Sequence, residues 1–424
     1  MAWGDDDTKV LDLFTGVLPQ VWTSVINLTA QNYTTSSASY VPTNGSLTMF
    51  PWDGSKFSNI SAAYFEVTGN IIGTSEGDTW GAQLYDRTNT TEVAAVSAFG
   101  PGIARSGDIS ASLDAGQAAL DVRVKNKGAT SVALKSARLI IVQNTSGTDK
   151  TAIYIPVGQT YTIGLNSYQS GRDVRLTASC EHQFEYIADN WETVENAYFH
   201  AVMYGSGANT AYAALDDVAE GGEFGEVSTS NSVPTLLFSS DIKASLVDGT
   251  VYTAFTKSSA NRQNVNMVHA WLEIDLNTVN KYEFMYDVTA FGKKETSTTG
   301  WKTESTEYRV EYFTGDMWYF GLDSEITKHY SVESHNSATS ITGALYDDGT
   351  KDADSEIKEL GGTPVYETSI PLTFADGSEI KSGWNVASLG FLSAGYLWNS
   401  GILVTVELDD GEVASTFIPT MMWY

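Results

Sequence analysis

One stretch of the sequence occurs twice, as Ser106-Gly107-Asp108-Ile109-Ser110-Ala111-Ser112-Leu113 and, 133 residues later, as Ser239-Ser240-Asp241-Ile242-Lys243-Ala244-Ser245-Leu246. A second marker, Leu-x-Asp, recurs at Leu84, Leu215 and Leu345, with offsets of 131 and 130 residues. Offsets this constant predict three tandem copies of one folding unit. The third copy matches the first two at fewer positions.

Within a copy, short runs alternate apolar and polar residues, as in Ala119-Leu120-Asp121-Val122-Arg123-Val124. A period of two residues indicates a half-buried strand. Turn sequences such as Thr43-Asn44-Gly45 and Asp376-Gly377 separate such runs, which is typical of antiparallel sandwiches and barrels. The sequence therefore predicts an all-β protein with three tandem antiparallel β-sandwich, jelly-roll-like domains, each large enough to fold by itself.

The offsets divide the chain into five segments. Apolar residues in 8–18 follow the spacing of a short helix that Pro19 would end. A helix this short needs a docking surface. The helix could dock on another subunit or on its own chain. The same two alternatives apply to the apolar C-terminal tail. The segments are an N-terminal helical arm (1–28), repeat 1 (29–144), repeat 2 (145–277), repeat 3 (278–410) and a C-terminal tail (411–424).

Charge and targeting features limit the partners of the chain. Its 52 acidic and 24 basic residues give a net charge of −28, which predicts no binding to nucleic acid or to anionic membranes. The single cysteine excludes an intramolecular disulfide framework. The N-terminus has Asp5, Asp6 and Asp7 where a secretory signal is basic and then apolar. We therefore expect synthesis in the cytoplasm without a signal peptide.

The sequence contains no catalytic signature. It lacks the Gly-x-Ser-x-Gly elbow of hydrolases, the His-Glu-x-x-His of zinc enzymes and a phosphate-binding glycine loop. Acidic residues are so abundant that a glycosidase carboxylate pair has no distinguishing signal. Three similar copies fit binding or scaffolding better than a single active site. The sequence therefore predicts a protein that is not an enzyme.

One loop of the third copy has the composition of a calcium site, and the expected cofactor is either none or Ca²⁺. Hard oxygen ligands in loops suit Ca²⁺, although Ile357 stands where an EF-hand requires glycine. Asp347 also occupies the Leu-x-Asp position of Asp86 and Asp217, and a turn-capping aspartate explains that position equally well. The candidate ligands are Asp347, Asp348, Asp352, Asp354 and Glu356.

Two tryptophans are candidates for stacking on a sugar ligand. Trp52 and Trp191 lie in turn-like surroundings ahead of the Tyr-Phe strand of their copy, whereas Trp80 and Trp271 lie in predicted strands. A tryptophan in a loop can equally cover the open end of a sandwich. Both interpretations, a glycan-binding ring and a core residue, stay open for Trp52 and Trp191.

The strand pattern resembles a known group of proteins. The segment Lys135-Ser136-Ala137-Arg138-Leu139-Ile140-Ile141-Val142, with the Tyr-Phe and Leu-Tyr-Asp strands, is similar to tandem sandwich modules of bacteriophage virion proteins and to carbohydrate-binding modules, over about residues 29–410. The resemblance implies a structural or adhesive role. We expect a structural subunit of a virion or another extracellular assembly (capsid, decoration, tail or fibre) that binds copies of itself and other structural subunits. The alternative is an adhesin or surface filament protein that binds surface glycans.

Overall fold

The computed structural model describes most of residues 20–277, and beyond residue 277 it describes the backbone of strands between residues 281 and 407. The gaps before residue 278 are 30–32, 44–47, 73–78, 100–101, 128–130, 146–149, 164–168, 171–179, 182–183, 187, 189–193, 208 and 218–221. The predicted all-β class is confirmed, because the described residues form antiparallel sheets and their only helical segments are short 3-10 turns. In this described part, no helix is long and apolar enough to cross a membrane.

The first repeat forms ten strands in two sheets. Sheet I has the order β1-β10-β5-β8, with β2 also on β10, and sheet II has the order β3-β9-β6-β7, with β4 also on β9. A 3-10 turn, Gly54–Lys56, follows β4, and another, Ser110–Ser112, follows β8. The strands β1 to β10 are Gln20–Thr29, Tyr33–Thr35, Val41–Pro42, Phe50–Asp53, Ile60–Ile72, Thr79–Asp86, Thr91–Phe99, Gly102–Arg105, Gln117–Asn126 and Ser131–Thr145.

The second repeat has the same order of the four main strands in each of its sheets. Sheet III has the order β13-β11-β20-β15-β18, and sheet IV has the order β12-β19-β16-β17, with β14 also on β19. A 3-10 turn, Lys243–Ser245, follows β18 as Ser110–Ser112 follows β8. The strands β11 to β20 are Thr151–Ile163, Gln169–Ser170, Cys180–Glu181, Phe184–Tyr186, Val194–Gly205, Ala211–Asp217, Phe224–Thr229, Thr235–Phe238, Thr250–Ser258 and Val265–Leu276.

The third repeat keeps much of this order. One sheet, β21-β33-β25-β30, matches the central strands of sheet III, and a second, β23-β31-β27-β28 with β24 on β31 and β29 on β27, matches sheet IV. A small third sheet has the order β22-β32-β26. The strands β21 to β33 are Lys281–Tyr286, Lys294–Thr296, Lys302–Thr303, Glu311–Thr314, Glu325–Tyr330, Glu333–Ser334, Ile341–Asp347, Thr350–Lys351, Ile357–Glu359, Ile370–Pro371, Trp384–Leu392, Gly395–Asn399 and Ile402–Glu407.

The N-terminal segment differs from the arm expected over residues 1–28. Strand β1 pairs with β10 along its whole length, from Gln20 opposite Thr145 onward, so residues 20–28 belong to the first sandwich. The physical reason is burial, because Ile26 and Leu28 join its hydrophobic core. The helix expected over 8–18 and the tail 411–424 lie outside the described residues.

The first two sandwiches share a packed core and are not joined by a linker alone. Phe50 of β4 meets two rings of sheet III edge to face, with centroids 4.8 Å from Tyr154 and 5.6 Å from Trp271. Both rings belong to the cluster of buried apolar residues that fills the first sandwich. The first strands of the three repeats, β1, β11 and β21, also contact one another in all three pairs. The repeats are therefore arranged around a common seam.

Candidate functional site

The repeated Ser-x-Asp-Ile stretch binds backbone at the end of a strand. In the first sandwich, Asp108 Oδ1 accepts hydrogen bonds from the backbone N–H groups of Ala63 and Ser110, both at 2.9 Å. Ser106 Oγ accepts a third, from Phe65 N at 3.0 Å. Ala63 and Phe65 lie in the part of β5 that has no partner in β8. The two side chains supply the acceptors that the strand would otherwise lack, and a buried N–H without an acceptor is costly. Burial would raise the pKa of Asp108, but the hydrogen bonds from Ser110 and Ala63 lower it.

The second sandwich repeats this geometry atom for atom. Asp241 Oδ1 accepts from Ala197 N and Lys243 N, both at 3.0 Å, and Ser239 Oγ accepts from Phe199 N at 2.9 Å. The isoleucine after each aspartate is buried. The most recognisable motif of the sequence therefore has a structural role, which we call the strand clamp (Ser106 to Ile109 and Ser239 to Ile242).

We expect the aspartate of the strand clamp to stabilise the folded chain. Replacing Asp108 by alanine leaves the Ala63 N–H without its acceptor, so we expect the free energy of unfolding to fall by about 1–3 kcal/mol. Asp108→Asn keeps an acceptor oxygen and should lose clearly less. Urea denaturation measures both, with Asp114→Ala, a loop carboxylate that accepts from Gly116 N, as control. Equal losses for Asp108→Ala and Asp108→Asn would contradict the role of the acceptor.

A buried ion cluster lies where the first two sandwiches meet. Lys56, at the end of the 3-10 turn after β4, forms an ion pair with Glu273 and a second one with Asp275, at 3.3 Å. His200 Nε2 lies 2.7 Å from the other oxygen of Glu273. The Lys56 ammonium also lies 4.6 Å from the ring centre of Tyr198. One lysine of the first sandwich is thus bound by two strands of sheet III.

Burial controls the electrostatics of this cluster. It lowers the pKa of His200 to about 3, with a smaller contribution from the positive charge of Lys56, so the imidazole is neutral at pH 7. It raises the pKa of Asp275, against the opposing effect of Lys56, and it also raises the pKa of Tyr154. Glu273 has only 1 % of its surface exposed. The cluster links the two sandwiches, because Lys56 belongs to the first and Glu273 and His200 belong to the second.

Sequence reasoning missed this cluster, although the repeats contain a signal for it. The last strands of the first two repeats can be aligned residue by residue, from Ala137 opposite Ala270 to Val142 opposite Asp275. In this alignment Glu273 stands opposite an isoleucine and Asp275 stands opposite a valine. Acidic residues at strand positions that are apolar in the other copy indicate that this face of the second sandwich has a polar partner.

Buried histidines make the stability depend on pH. Burial lowers the pKa of His269 from 6.5 to about 3, so only the unfolded chain binds this proton between those values. The free energy of unfolding should therefore fall as pH falls below 6.5, by about 1.4 kcal/mol per pH unit for each such histidine. We expect His269→Gln to flatten the profile between pH 7 and pH 5, measured by urea denaturation. An unchanged slope would contradict the assignment.

The expected sugar-binding role of Trp52 is not compatible with its place in the structure. Trp52 lies in β4 and is 1 % exposed. Its Nε1 donates to the carbonyl oxygen of Asp114 at 2.7 Å, and its ring stacks on Phe57. The pairing of β4 with β9 turns the ring into the sandwich, which is the covering role that the sequence left open. Trp191 lies outside the described residues.

The expected calcium loop lies mostly outside the described residues. Asp347 is the last residue of β27 and pairs with Thr350 of β28, whereas Asp348, Asp352, Asp354 and Glu356 are not described. At the equivalent Leu-x-Asp position, Asp86 accepts hydrogen bonds from the backbone and side-chain nitrogens of Asn89. That aspartate stabilises a turn. Within the described ranges, no three acidic, histidine or cysteine side chains are grouped to hold a metal ion.

The calcium hypothesis stays a prediction with a direct test. If Asp347 to Glu356 bind Ca²⁺, the ion should raise the melting temperature, because a ligand that binds only the folded state stabilises it. The comparison is between EDTA and excess Ca²⁺ at matched ionic strength. Equal melting temperatures would identify these carboxylates as surface charge.

Comparisons with known proteins give only distant similarities. No family model and no curated protein matches the chain. The solved structure of N-glycanase F (PNGase F) is 12% identical, covers 60% of this chain and 96% of its own, and has a TM-score of 0.23. The CBM22-1-CBM22-2 tandem domain of Paenibacillus barcinonensis Xyn10C is 11% identical (60% and 91% covered, TM-score 0.18). The PBSX exported protein XepA is 9% identical (60% and 86% covered, TM-score 0.18).

Proposed function

We propose that this chain is a non-enzymatic structural subunit of an extracellular assembly, in the first place a phage or virus virion protein of a capsid, decoration, tail or fibre. The observation that carries the proposal is the junction between sandwiches. Phe50 and Lys56 of the first sandwich are held by rings and carboxylates of the second, and β1, β11 and β21 meet at one seam. Domains joined in this way form one block, as a mechanically stable subunit requires.

The recurring polar residues support the same proposal. In both described sandwiches, the aspartate and serine of the strand clamp bind backbone N–H groups. Asp86 holds a turn, and Glu273 is enclosed between Lys56 and His200. These carboxylates contribute to stability and assembly of the fold. A structural subunit made in the cytoplasm would reach the virion or cell surface by assembly or lysis.

Self-assembly is the property to measure. The full chain should form discrete oligomers, rings or filaments at micromolar concentration, visible by light scattering after size exclusion and by negative-stain electron microscopy. Co-purification with other structural subunits of the same particle would place it there. A chain that stays monomeric at all concentrations and binds no such subunit would contradict the proposal.

A glycan-binding adhesin is the second candidate, and one observation favours it. Tyr40 and Tyr85 are half-exposed on the outward face of sheet II, where a sugar could stack. One side of each ring is already covered, by Lys125 at 4.0 Å from the Tyr40 centre and by Arg123 at 3.4 Å from the Tyr85 centre. A glycan array with the wild-type chain and Tyr85→Ala tests this function. Specific binding that Tyr85→Ala abolishes would favour the adhesin.

A further inference from the structure

Charge is distributed unevenly among the three repeats. Residues 29–144 contain nine acidic and eight basic residues, whereas residues 145–277 contain 16 and six, and residues 278–410 contain 22 and nine. The negative charge of the chain therefore lies mainly in the second and third repeats. The first repeat is close to neutral.

The basic residues of the first repeat are concentrated on the outward face of sheet II. Along β9, Leu120, Val122 and Val124 point into the core, so Arg123 and Lys125 point outward with the alternation of a strand. Lys127 and Arg87 extend this row at its two ends. We call this surface the basic face, defined by Arg87, Arg123, Lys125 and Lys127 with the rings of Tyr40 and Tyr85.

Two acidic side chains among the described residues lie beside the four basic residues of the basic face. Asp121 is fully buried beneath it, with Oδ2 lying 3.6 Å from Arg87 Nη1 and 3.7 Å from Arg123 Nη2. One buried carboxylate is thus shared by two guanidinium groups. The second described acidic neighbour, Glu92, is exposed, accepts a hydrogen bond from Gln83 and contributes one negative charge. Among the described residues of this surface, the four basic side chains therefore outnumber the two acidic ones.

The basic face is partly exposed and borders exposed residues of sheet II. On the adjacent strand β7, the outward residues Ala95 and Ser97 are exposed, and Phe99 at its end has 73% of its surface exposed. Lys127, beside this end of the sheet, is exposed as well. Tyrosine and arginine are residues that protein interfaces favour. The tyrosines and arginines of the basic face therefore suit a protein partner.

We infer that the basic face binds the acidic second or third repeat of another copy of this chain. This inference rests on the proposed function, for which it names the contact between subunits. Charge complementarity selects the partner, since positive and negative patches attract across an interface. The remainder of the chain, which is strongly negative, opposes the approach of nucleic acid. A contact between two different surfaces joins copies head to tail, which builds rings or filaments.

Two charge-reversal variants of the full chain test the inference. Lys125→Glu with Lys127→Glu reverses two charges of the basic face. The control variant, Lys150→Glu with Lys257→Glu, reverses two charges in the second repeat, where both lysines pair with exposed glutamates. It keeps the basic face and makes the second repeat more acidic, so the inference predicts no loss of this contact. Both variants change the net charge equally. Thermal melts establish that both are folded.

Sedimentation velocity at 50 mM and 500 mM NaCl measures self-association. We expect the variant of the basic face to raise the dissociation constant about tenfold relative to the control variant at low salt, and the difference to shrink at high salt. Equal dissociation constants for the two variants would overturn the inference and leave the proposed function intact. A wild-type chain that is monomeric in every condition would contradict self-assembly altogether. Heparin or DNA binding that needs Lys125 and Lys127, without self-association, would also overturn the inference.

Discussion

Replacing Trp271 by alanine should lower the free energy of unfolding by about 3–5 kcal/mol, the usual cost of truncating a large buried ring. Trp271 is 1 % exposed, stacks on His269 with centroids 5.1 Å apart and donates from Nε1 to the carbonyl oxygen of Asn27 at 3.3 Å. It lies in β20 of the second sandwich, while Asn27 and Phe50, whose ring Trp271 meets edge to face, belong to the first. The loss should therefore reach both sandwiches.

Hydrogen exchange distinguishes this result from an ordinary core mutation. In Trp271→Ala, amides of β1 and β4 in the first sandwich should lose protection together with those of β20. The matched control is Trp80→Ala, which empties an equally buried site inside the first sandwich. If Trp271→Ala leaves the protection of β1 and β4 unchanged, the two sandwiches unfold independently and the contacts between them do not couple their stabilities.

Replacing Lys56 by alanine should cost about 3–5 kcal/mol, because it leaves Glu273 buried without its counter-charge. The control is Lys150→Ala. Lys150 pairs with Glu195 at 3.2 Å, but the two side chains are 53% and 37% exposed, and exposed pairs contribute about 0–1 kcal/mol. Urea denaturation at pH 7 measures both variants.

A double-mutant cycle shows whether the loss comes from the ion pair. Glu273→Gln removes the negative charge and keeps a polar group facing His200. In the background of Glu273→Gln, Lys56→Ala should cost less than in the wild-type chain, since Asp275 is then the one carboxylate of the cluster that loses Lys56. Equal costs in both backgrounds would mean that Lys56 stabilises the chain through Asp275 and Tyr198 and not through Glu273.

Local patterns were sufficient to predict the fold class and the repeats. A strand exposes alternate residues, so the run around Leu120 predicts β9 without knowledge of its neighbours. Leu84 and Leu215, which define the offset, are both fully buried in the structure. The strand clamp was visible as a motif, but its role was not, because the backbone groups that it binds lie about 40 residues away in sequence.

Contacts between repeats could not be predicted in this way. Lys56 and Glu273 are 217 residues apart, and neither has a local sequence context that selects the other. The position of Trp52 depends on the pairing of β4 with β9, which a turn-like sequence does not reveal. The arm boundary at residue 28 was misplaced for a similar reason, because the partner of β1 is the last strand of its repeat.

The pairing of β1 with β10 has a consequence for synthesis on the ribosome. Strand β1 ends at Thr29, but β10 is complete only at Thr145, so more than 100 residues must be added before the sheet can close. At about 5–20 residues per second, translation takes on the order of ten seconds for this stretch. During that time the nascent chain has an unpaired strand containing Ile26 and Leu28, which neighbouring chains on the same messenger could capture. Slower initiation, which spaces the ribosomes, should therefore increase the yield of correctly folded protein.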